Sequence, residues 1–270
     1  MTYSIIARDP ITGDLGVAIQ SHWFNVARQT IFGVAGVGVA ATQSFVDPRY
    51  GEVGLGKIAT GLSPQQALSE LLATDHDRES RQAALLSTTG EIAVHTGAKC
   101  IPYAGHIFAE NVCCQANLMA AAGVPEAMLD GYLSSSGALA TRMLCALEAA
   151  QRAGGDLRGK QSAGILVTRG ERSPVLANGV KVDLRVEDSQ EPLQELGRLL
   201  RLRAAYDILN QSNDMFDAGD LQMANTLYAE LRRLEPDNEE LVFWAKAAPS
   251  KDRSRLGSKW RELDERLKLR

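Results

Sequence analysis

Thr2 follows Met1 directly and opens a strand-like run over residues 2–7. A hydroxyl at a mature N-terminus, held by a sheet, can be a nucleophile that carries its own base. Once Met1 is removed, the Thr2 α-amine lies within reach of its own Oγ, directly or through one water. An α-amine titrates at about 7.7–8.0, close to neutrality and suited to general-base work. No separate histidine is then required. The bland alternative is that a small residue in second position merely permits removal of Met1. Ser4 lies two residues along the same strand, hence on the same face as Thr2, and could orient the amine.

Further polar residues recur where strands end. Ser21 and His22 close the second strand-like run, with Trp23 next to cover a site that His22 could face. Gln43, in Thr42-Gln43-Ser44, and Asn117, at the end of the Cys113-Cys114 run, carry amide N–H groups of the kind that stabilise a tetrahedral oxyanion. Arg49, in Asp47-Pro48-Arg49-Tyr50-Gly51, could clamp a substrate carboxylate with two parallel bonds or pair with Asp47. His95 is a candidate substrate contact, although it and His106 each read alone as hydrogen-bonded structural histidines. Asp156 and Arg158 read as a buried or half-buried ion pair. The four histidines match no short zinc motif, and no phosphate-loop pattern occurs, so no metal or cofactor is expected.

These residues need elements to position them. Residues 2–7 and 15–20 form a hairpin across Asp9-Pro10-Ile11-Thr12-Gly13-Asp14, and residues 33–42 give two short strands or one bent strand. Ser63 as N-cap with Pro64 at the first helical position opens a helix whose apolar stripe includes Ala67, Leu68, Leu71 and Leu72. A second hairpin covers residues 83–87 and 92–96, and residues 107–115 add strand character. Helices follow over 125–133 and 138–152, the latter ending at Gly154-Gly155, and strands return over 162–168 and 180–186. Hairpins between helix pairs favour antiparallel sheets with helices packed outside them.

Beyond Pro192 glycine thins out and helix formers rise, which places a boundary between a domain over 1–190 and a helical module over 191–270. A long amphipathic helix over 192–216 is broken at Gly219-Asp220. A second helix covers 221–234, and Pro236-Asp237 opens a third. Gly219, Ala224, Tyr228 and Pro236 carry the spacing of the second half of a tetratricopeptide repeat. One repeat cannot build a solenoid, so this is a single helical hairpin, either an interaction module for a protein partner or a packing appendage. Leu256, Trp260, Leu263 and Leu267 form a spaced apolar seam suited to the preceding helices or to another copy, hence an expected homo-oligomer.

A chain of 270 residues with 33 acidic and 29 basic side chains, net charge -4, has the balance of an ordinary globular protein and does not favour nucleic-acid binding. No apolar run approaches the roughly 18 residues of a membrane span. Arg8, Asp9 and Pro10 interrupt any signal-like segment, so a cytoplasmic location is expected. Cys100, Cys113, Cys114 and Cys145 lack paired zinc or redox spacing and read as buried reduced thiols.

Thr2-Tyr3-Ser4-Ile5-Ile6-Ala7-Arg8-Asp9, with Gly13-Asp14-Leu15-Gly16-Val17-Ala18 and Ser21-His22-Trp23-Phe24, resembles the opening of the family known as domain of unknown function 1028. The likeness continues through Gly36-Val37-Gly38, the block from Ala41 to Gly51, Arg81-Gln82, His95-Thr96-Gly97, Gly105-His106, Asn117-Leu118-Met119 and the block from Gly155 to Ala163. It covers roughly residues 1–190. That family is similar to the N-terminal-nucleophile hydrolases, and the resemblance implies an α+β fold: a four-layer αββα sandwich of two stacked antiparallel sheets, here with a small all-α appendage. It also implies hydrolysis of an amide in a peptide or small molecule, with Thr2 as nucleophile. Proteasome-like relatives place a lysine beside the N-terminal amine, whereas this chain has none before Lys57, and Ala116 stands where the family usually has Gly. Either another polar residue takes the role of that lysine or the scaffold has lost its chemistry. Two readings result: an amide hydrolase using Thr2, and an inactive member that binds a small ligand and engages a partner or itself through its C-terminal helices.

Overall fold

The computed structural model describes residues 2–245 and residue 265. Two compact units divide the chain, Met1–Gly197 and Arg198–Arg270. The first contains two antiparallel sheets. Strands β1 (Thr2–Arg8), β2 (Leu15–Ser21), β3 (Ile31–Val34), β4 (Gly38–Ser44), β5 (Arg81–Ser87), β6 (Ile92–Thr96), β7 (Gly105–Ala109), β8 (Val112–Asn117), β9 (Ser162–Thr168) and β10 (Val180–Val186) are joined by short helices and turns. The six-stranded sheet has the order β10-β9-β2-β1-β8-β7 and the four-stranded sheet the order β3-β4-β5-β6.

The sheets lie face to face, with β1 and β2 against β4. Helices α2 (Arg49–Ala59) and α3 (Pro64–Thr74) cover the outside of the four-stranded sheet. Helices α4 (Val124–Leu133) and α5 (Leu139–Arg152) cover the outside of the six-stranded one. This is an α+β sandwich in the layer order helix, sheet, sheet, helix. Short helices α1 (Ala27–Thr30) and α6 (Leu176–Gly179) lie in the β2–β3 and β9–β10 connections.

Local chemistry explains the turns that fix the register. Asp9 Oδ1 accepts from the N–H groups of Ile11 and Thr12 at 2.8 and 3.0 Å, so its side chain holds the β1–β2 turn as a backbone carbonyl would. Residues 107–115, expected as a single stretch with strand character, belong to two strands. Asn111 takes a left-handed φ of 62° and folds β7 back on β8, a conformation asparagine tolerates better than most residues. Ser63 Oγ accepts from Gln66 N while Gln66 Oε1 accepts from Ser63 N, which completes a capping box at α3.

Strand alternation sorts the side chains. Ile6, Val17, Ile19, Val39, Ala41, Leu86 and Cys113 fill the layer between the sheets. Ala40, Tyr50, Leu55, Leu68 and Leu85 fill the layer beneath α2 and α3. Tyr3, on the opposite face of β1, donates its hydroxyl to Gln151 Oε1 of α5 at 3.0 Å. Burial of these apolar faces is the main force holding the layers together.

In the second unit, α8 (Leu221–Leu234) and α9 (Glu239–Trp244) follow the long α7 (Pro192–Asp217), which begins in the first unit. Ala205, Leu209, Tyr228, Leu231 and Leu241 form its core. Ala224 is fully buried, and Ser212 Oγ donates to its carbonyl at 2.9 Å. The seam formed by Leu256, Trp260, Leu263 and Leu267 lies outside the described residues, as does Met1.

Candidate functional site

The layer between the sheets is apolar along most of its length and polar at one end. Thr2 pairs with Ser21 of β2 on one side and with Asn117 of β8 on the other. Paired residues in antiparallel strands share a face, so Thr2, Ser21 and Asn117 point together toward the four-stranded sheet. Gln43 of β4 and Gln82 of β5, also paired with each other, meet them from below. Sequence alternation foretells this placement: Gln43 follows Val39 and Ala41 at intervals of two, and Gln82 precedes Ala84 and Leu86 in the same way.

Gln82 is the hub of the polar end. Its Oε1 accepts from Gln43 Nε2 at 2.7 Å and from Asn117 Nδ2 at 2.9 Å. Its Nε2 donates to Thr96 Oγ1, Gly105 O and Ala116 O at 2.9–3.0 Å. Gln43 Nε2 also donates to the carbonyl of Thr2 at 3.2 Å, tying the first described residue to the opposite sheet. Gln43 Oε1 and Asn117 Oδ1 are buried acceptors with no partner among the described residues. Ser4, fully buried one pair further in, accepts from Gln115 Nε2 at 3.2 Å.

On its other side Thr2 meets a cation. Thr2 Oγ1 donates to Ser21 Oγ at 3.1 Å, and Arg158 Nη2 donates to the same oxygen at 3.4 Å. Asp156 fixes the guanidinium, accepting from Arg158 Nη2 at 2.8 Å and from Nε at 3.1 Å. It also accepts from the backbone N–H groups of Arg158 and His22. The Asp156 side chain is fully buried and Arg158 is 30% exposed, so the pair is anchored behind and open in front.

That open side is a cavity of about 610 Å³. Thr2 is only 4% exposed, yet it lines this cavity with Ser21 and Arg158 at the floor. Trp23, Phe24 and Phe45 stand at its wall, 65, 60 and 56% exposed. Two wall residues, Asn25 and Ser44, have left-handed φ of 48° and 71°. For Ser44 this is an uncommon conformation, of the kind that concentrates at functional sites.

The structure therefore gathers Thr2, Ser21 and Trp23 around one cavity, while Ser4, Gln43 and Asn117 lie in the buried layer behind Thr2 and do not line it. His22 reaches Asp156 through its backbone and is not part of the lining. Arg49 is held by Asp47, with Nη2 to Oδ2 at 2.6 Å, and is not part of the lining. His95 Nε2 bonds the carbonyl of Arg78 at 2.8 Å, also elsewhere. A separate cavity of about 480 Å³ is lined by Thr96, Tyr103, His106 and Glu126 among others. There His106 Nδ1 bonds Thr96 Oγ1 at 2.8 Å, and burial followed by the nearby His95 lowers its pKa.

Sequence reasoning misses Gln82, Arg28, Phe24 and Phe45, and points to Arg158 only as the partner of Asp156. The signal for Gln82 was a polar residue at an inward strand position. For the others no local signal existed. Burial pushes Cys113 up to about 12 and raises Cys114 as well, so neither is a thiolate at neutral pH. Among the described residues no group of His, Cys, Asp and Glu is placed to hold a metal ion, and no helix is long and apolar enough to cross a membrane.

Comparison with known proteins places this geometry in a family. No curated protein matches the chain. The crystal structure of protein SPO2555 from Silicibacter pomeroyi, itself described by the DUF1028 family model, is similar with a TM-score of 0.67 and 28% sequence identity. That likeness covers 74% of this chain and 88% of the other. The model titled Family of unknown function (DUF1028) matches residues 2–196. Over those residues, which span the whole sandwich and the Thr2 cavity, this chain belongs to the DUF1028 family.

Proposed function

We propose that the protein is an amide hydrolase of the N-terminal-nucleophile type, acting on a peptide or small amide through Thr2. The observation that carries this reading is a residue at the head of β1 that is nearly buried, with its hydroxyl bonded to Ser21, flanked by Arg158, and that lines a cavity large enough for a small substrate. Removal of Met1 exposes the Thr2 amine. The amine takes the Oγ proton as Oγ attacks the amide carbon, and returns it to the nitrogen of the leaving amine. Water then cleaves the resulting ester, releasing the acid and restoring Thr2. Arg158 supplies positive charge beside the hydroxyl pair, the role left open by the absence of an early lysine. The unmatched acceptors Gln43 Oε1 and Asn117 Oδ1 belong to residues flanking Thr2 and suit an amine that donates hydrogen bonds.

Intact mass of the purified protein tests the first requirement, since retained Met1 blocks the amine. A panel of amides and dipeptides then compares the wild type with a fully processed Thr2→Ala protein. Hydrolysis surviving in the variant ends this reading.

One observation favours the alternative of a ligand-binding member without catalysis: the amide donors of Gln43 and Asn117 are turned to Gln82 and away from the cavity. In either case we read the second unit as a tetratricopeptide-like hairpin that engages a protein partner or a second copy, in a protein of the cytoplasm. Light scattering of the full chain and of a chain ending at Gly197 checks this; equal numbers of subunits in both argue against self-association through the second unit.

A further inference from the structure

We propose that the Thr2 cavity takes amides that carry a free carboxylate next to an apolar or aromatic group, with Arg28 reading the carboxylate. The proposal rests on the hydrolase reading for the reaction, and on the cavity alone for the binding.

Charge is the first observation. The chain carries 33 acidic and 29 basic residues, yet the charged residues lining this cavity are two arginines, Arg28 and Arg158, with no aspartate or glutamate. Local sign is thus opposite to global sign, which focuses anions into a cleft with low-dielectric walls.

The two arginines differ in what already holds them. Arg158 is held by Asp156 on two nitrogens and reaches Ser21 with Nη2, so its position is fixed beside Thr2. Arg28 lies on α1, is exposed, and has no carboxylate partner among the described residues. Glu187, which accepts from Asn25 Nδ2 at 3.3 Å, is the acidic residue bonded to this segment, and it does not line the cavity. The segment bearing Arg28 is itself anchored: Asn25 N donates to Glu187 O, Val26 N to Ser162 Oγ, and Thr30 Oγ1 to Val26 O. A guanidinium on an anchored segment presents a planar fork that matches a carboxylate with two parallel bonds.

Shape supplies the other half. Trp23, Phe24 and Phe45 leave more than half of their surfaces in solvent beside these cations. Clustered exposed aromatics mark a surface that something apolar covers. A ligand whose carboxylate meets Arg28, whose apolar group lies on the aromatic wall and whose amide faces Thr2 satisfies all three features. N-acylated amino acids have that chemistry.

The test uses titration calorimetry on the full chain carrying Thr2→Ala, so that bound probes are not consumed. The probes are N-acetylphenylalanine and its uncharged carboxamide. The acid is expected to bind about tenfold more tightly, the equivalent of ~1.4 kcal/mol, and Arg28→Gln is expected to abolish that preference by weakening the acid more than the carboxamide. Equal binding of the two probes overturns the proposal, as does failure of both to bind or a preference that survives in Arg28→Gln. The proposal and the hydrolase reading fail separately. Acid preference in a wild type that hydrolyses neither probe upholds the carboxylate site and removes the hydrolase; hydrolysis with no acid preference does the reverse.

Discussion

Replacing Gln82 by leucine tests the physical basis of the polar end of the sandwich. The substitution keeps side-chain bulk but removes every polar atom of the hub. Gln43 Nε2 retains its bond to Thr2 O and loses the one to Gln82, while Asn117 Nδ2 loses the bond it makes there. Each buried donor left without an acceptor costs about 1–3 kcal/mol, so the two together cost about 2–6 kcal/mol. The new leucine recovers about 1–2 kcal/mol by burying its apolar surface, which leaves an expected loss of about 2–3 kcal/mol. That is a large share of the ~5–15 kcal/mol that holds a typical domain. Gln20 is the contrast. It too is fully buried in a strand, but neither its Nε2 nor its Oε1 has a partner among the described residues. Gln20→Leu therefore removes unmet polar groups and is expected to be neutral or to stabilise by about 1 kcal/mol. Urea denaturation followed by circular dichroism separates the two. With a slope of about 1–3 kcal/mol per molar, Gln82→Leu moves the midpoint down by ~1 M, and Gln20→Leu leaves it in place or raises it. Equal losses in both variants would refute the reasoning, because burial alone, rather than bonding, would then govern these amides.

Other expectations follow from single contacts. A Cβ at Gly97 would lie 2.3 Å from the carbonyl oxygen of Glu79, backbone that cannot step aside, so Gly97→Ala is expected to cost about 1–3 kcal/mol in the same denaturation assay. Ser63→Ala removes one half of the α3 capping box and is expected to lower stability by about 1 kcal/mol, read as a fall in melting temperature. Burial alone would raise the pKa of Asp75, but bonds from Arg81, Asp77 N–H and Tyr50 outweigh it and hold the carboxyl at about 2, below an ordinary value of 3.8. Its contribution, about 2 kcal/mol, is fully present above pH 4 and is lost as pH falls through about 2; Asp75→Asn should flatten stability over that interval, measured by urea midpoints between pH 2 and 5.

Much of the architecture was legible because it rests on local rules. Strand-like runs on either side of a turn-rich connection marked β1 and β2, Ser63-Pro64 marked α3, Gly219-Asp220 marked the break before α8, and paired hairpin signals implied antiparallel sheets. The β7–β8 turn was missed because Glu110-Asn111 lacks the glycine that usually announces such a reversal. Site residues split along the same line. Thr2, Ser21 and Trp23 lie on or just after adjacent strands of one hairpin, so a single predicted pairing brings them together. Arg158 comes to Ser21 across 137 residues of chain, and Gln82 comes to Asn117 across 35. No periodicity within β1, β5 or β8 encodes such a meeting, since it depends on which strands become neighbours and how the two sheets stack.

What the sequence determined by itself was the set of faces: which side of each strand is apolar, where helices start, and that Thr2 heads a strand with a polar residue two positions on. What only the tertiary structure decided was how those faces are spent. Stacking the sheets turned Gln43 and Asn117 inward to Gln82 and left Arg158 and Arg28 at the cavity, because a buried amide must find a partner within the layer while a guanidinium can keep one side in water.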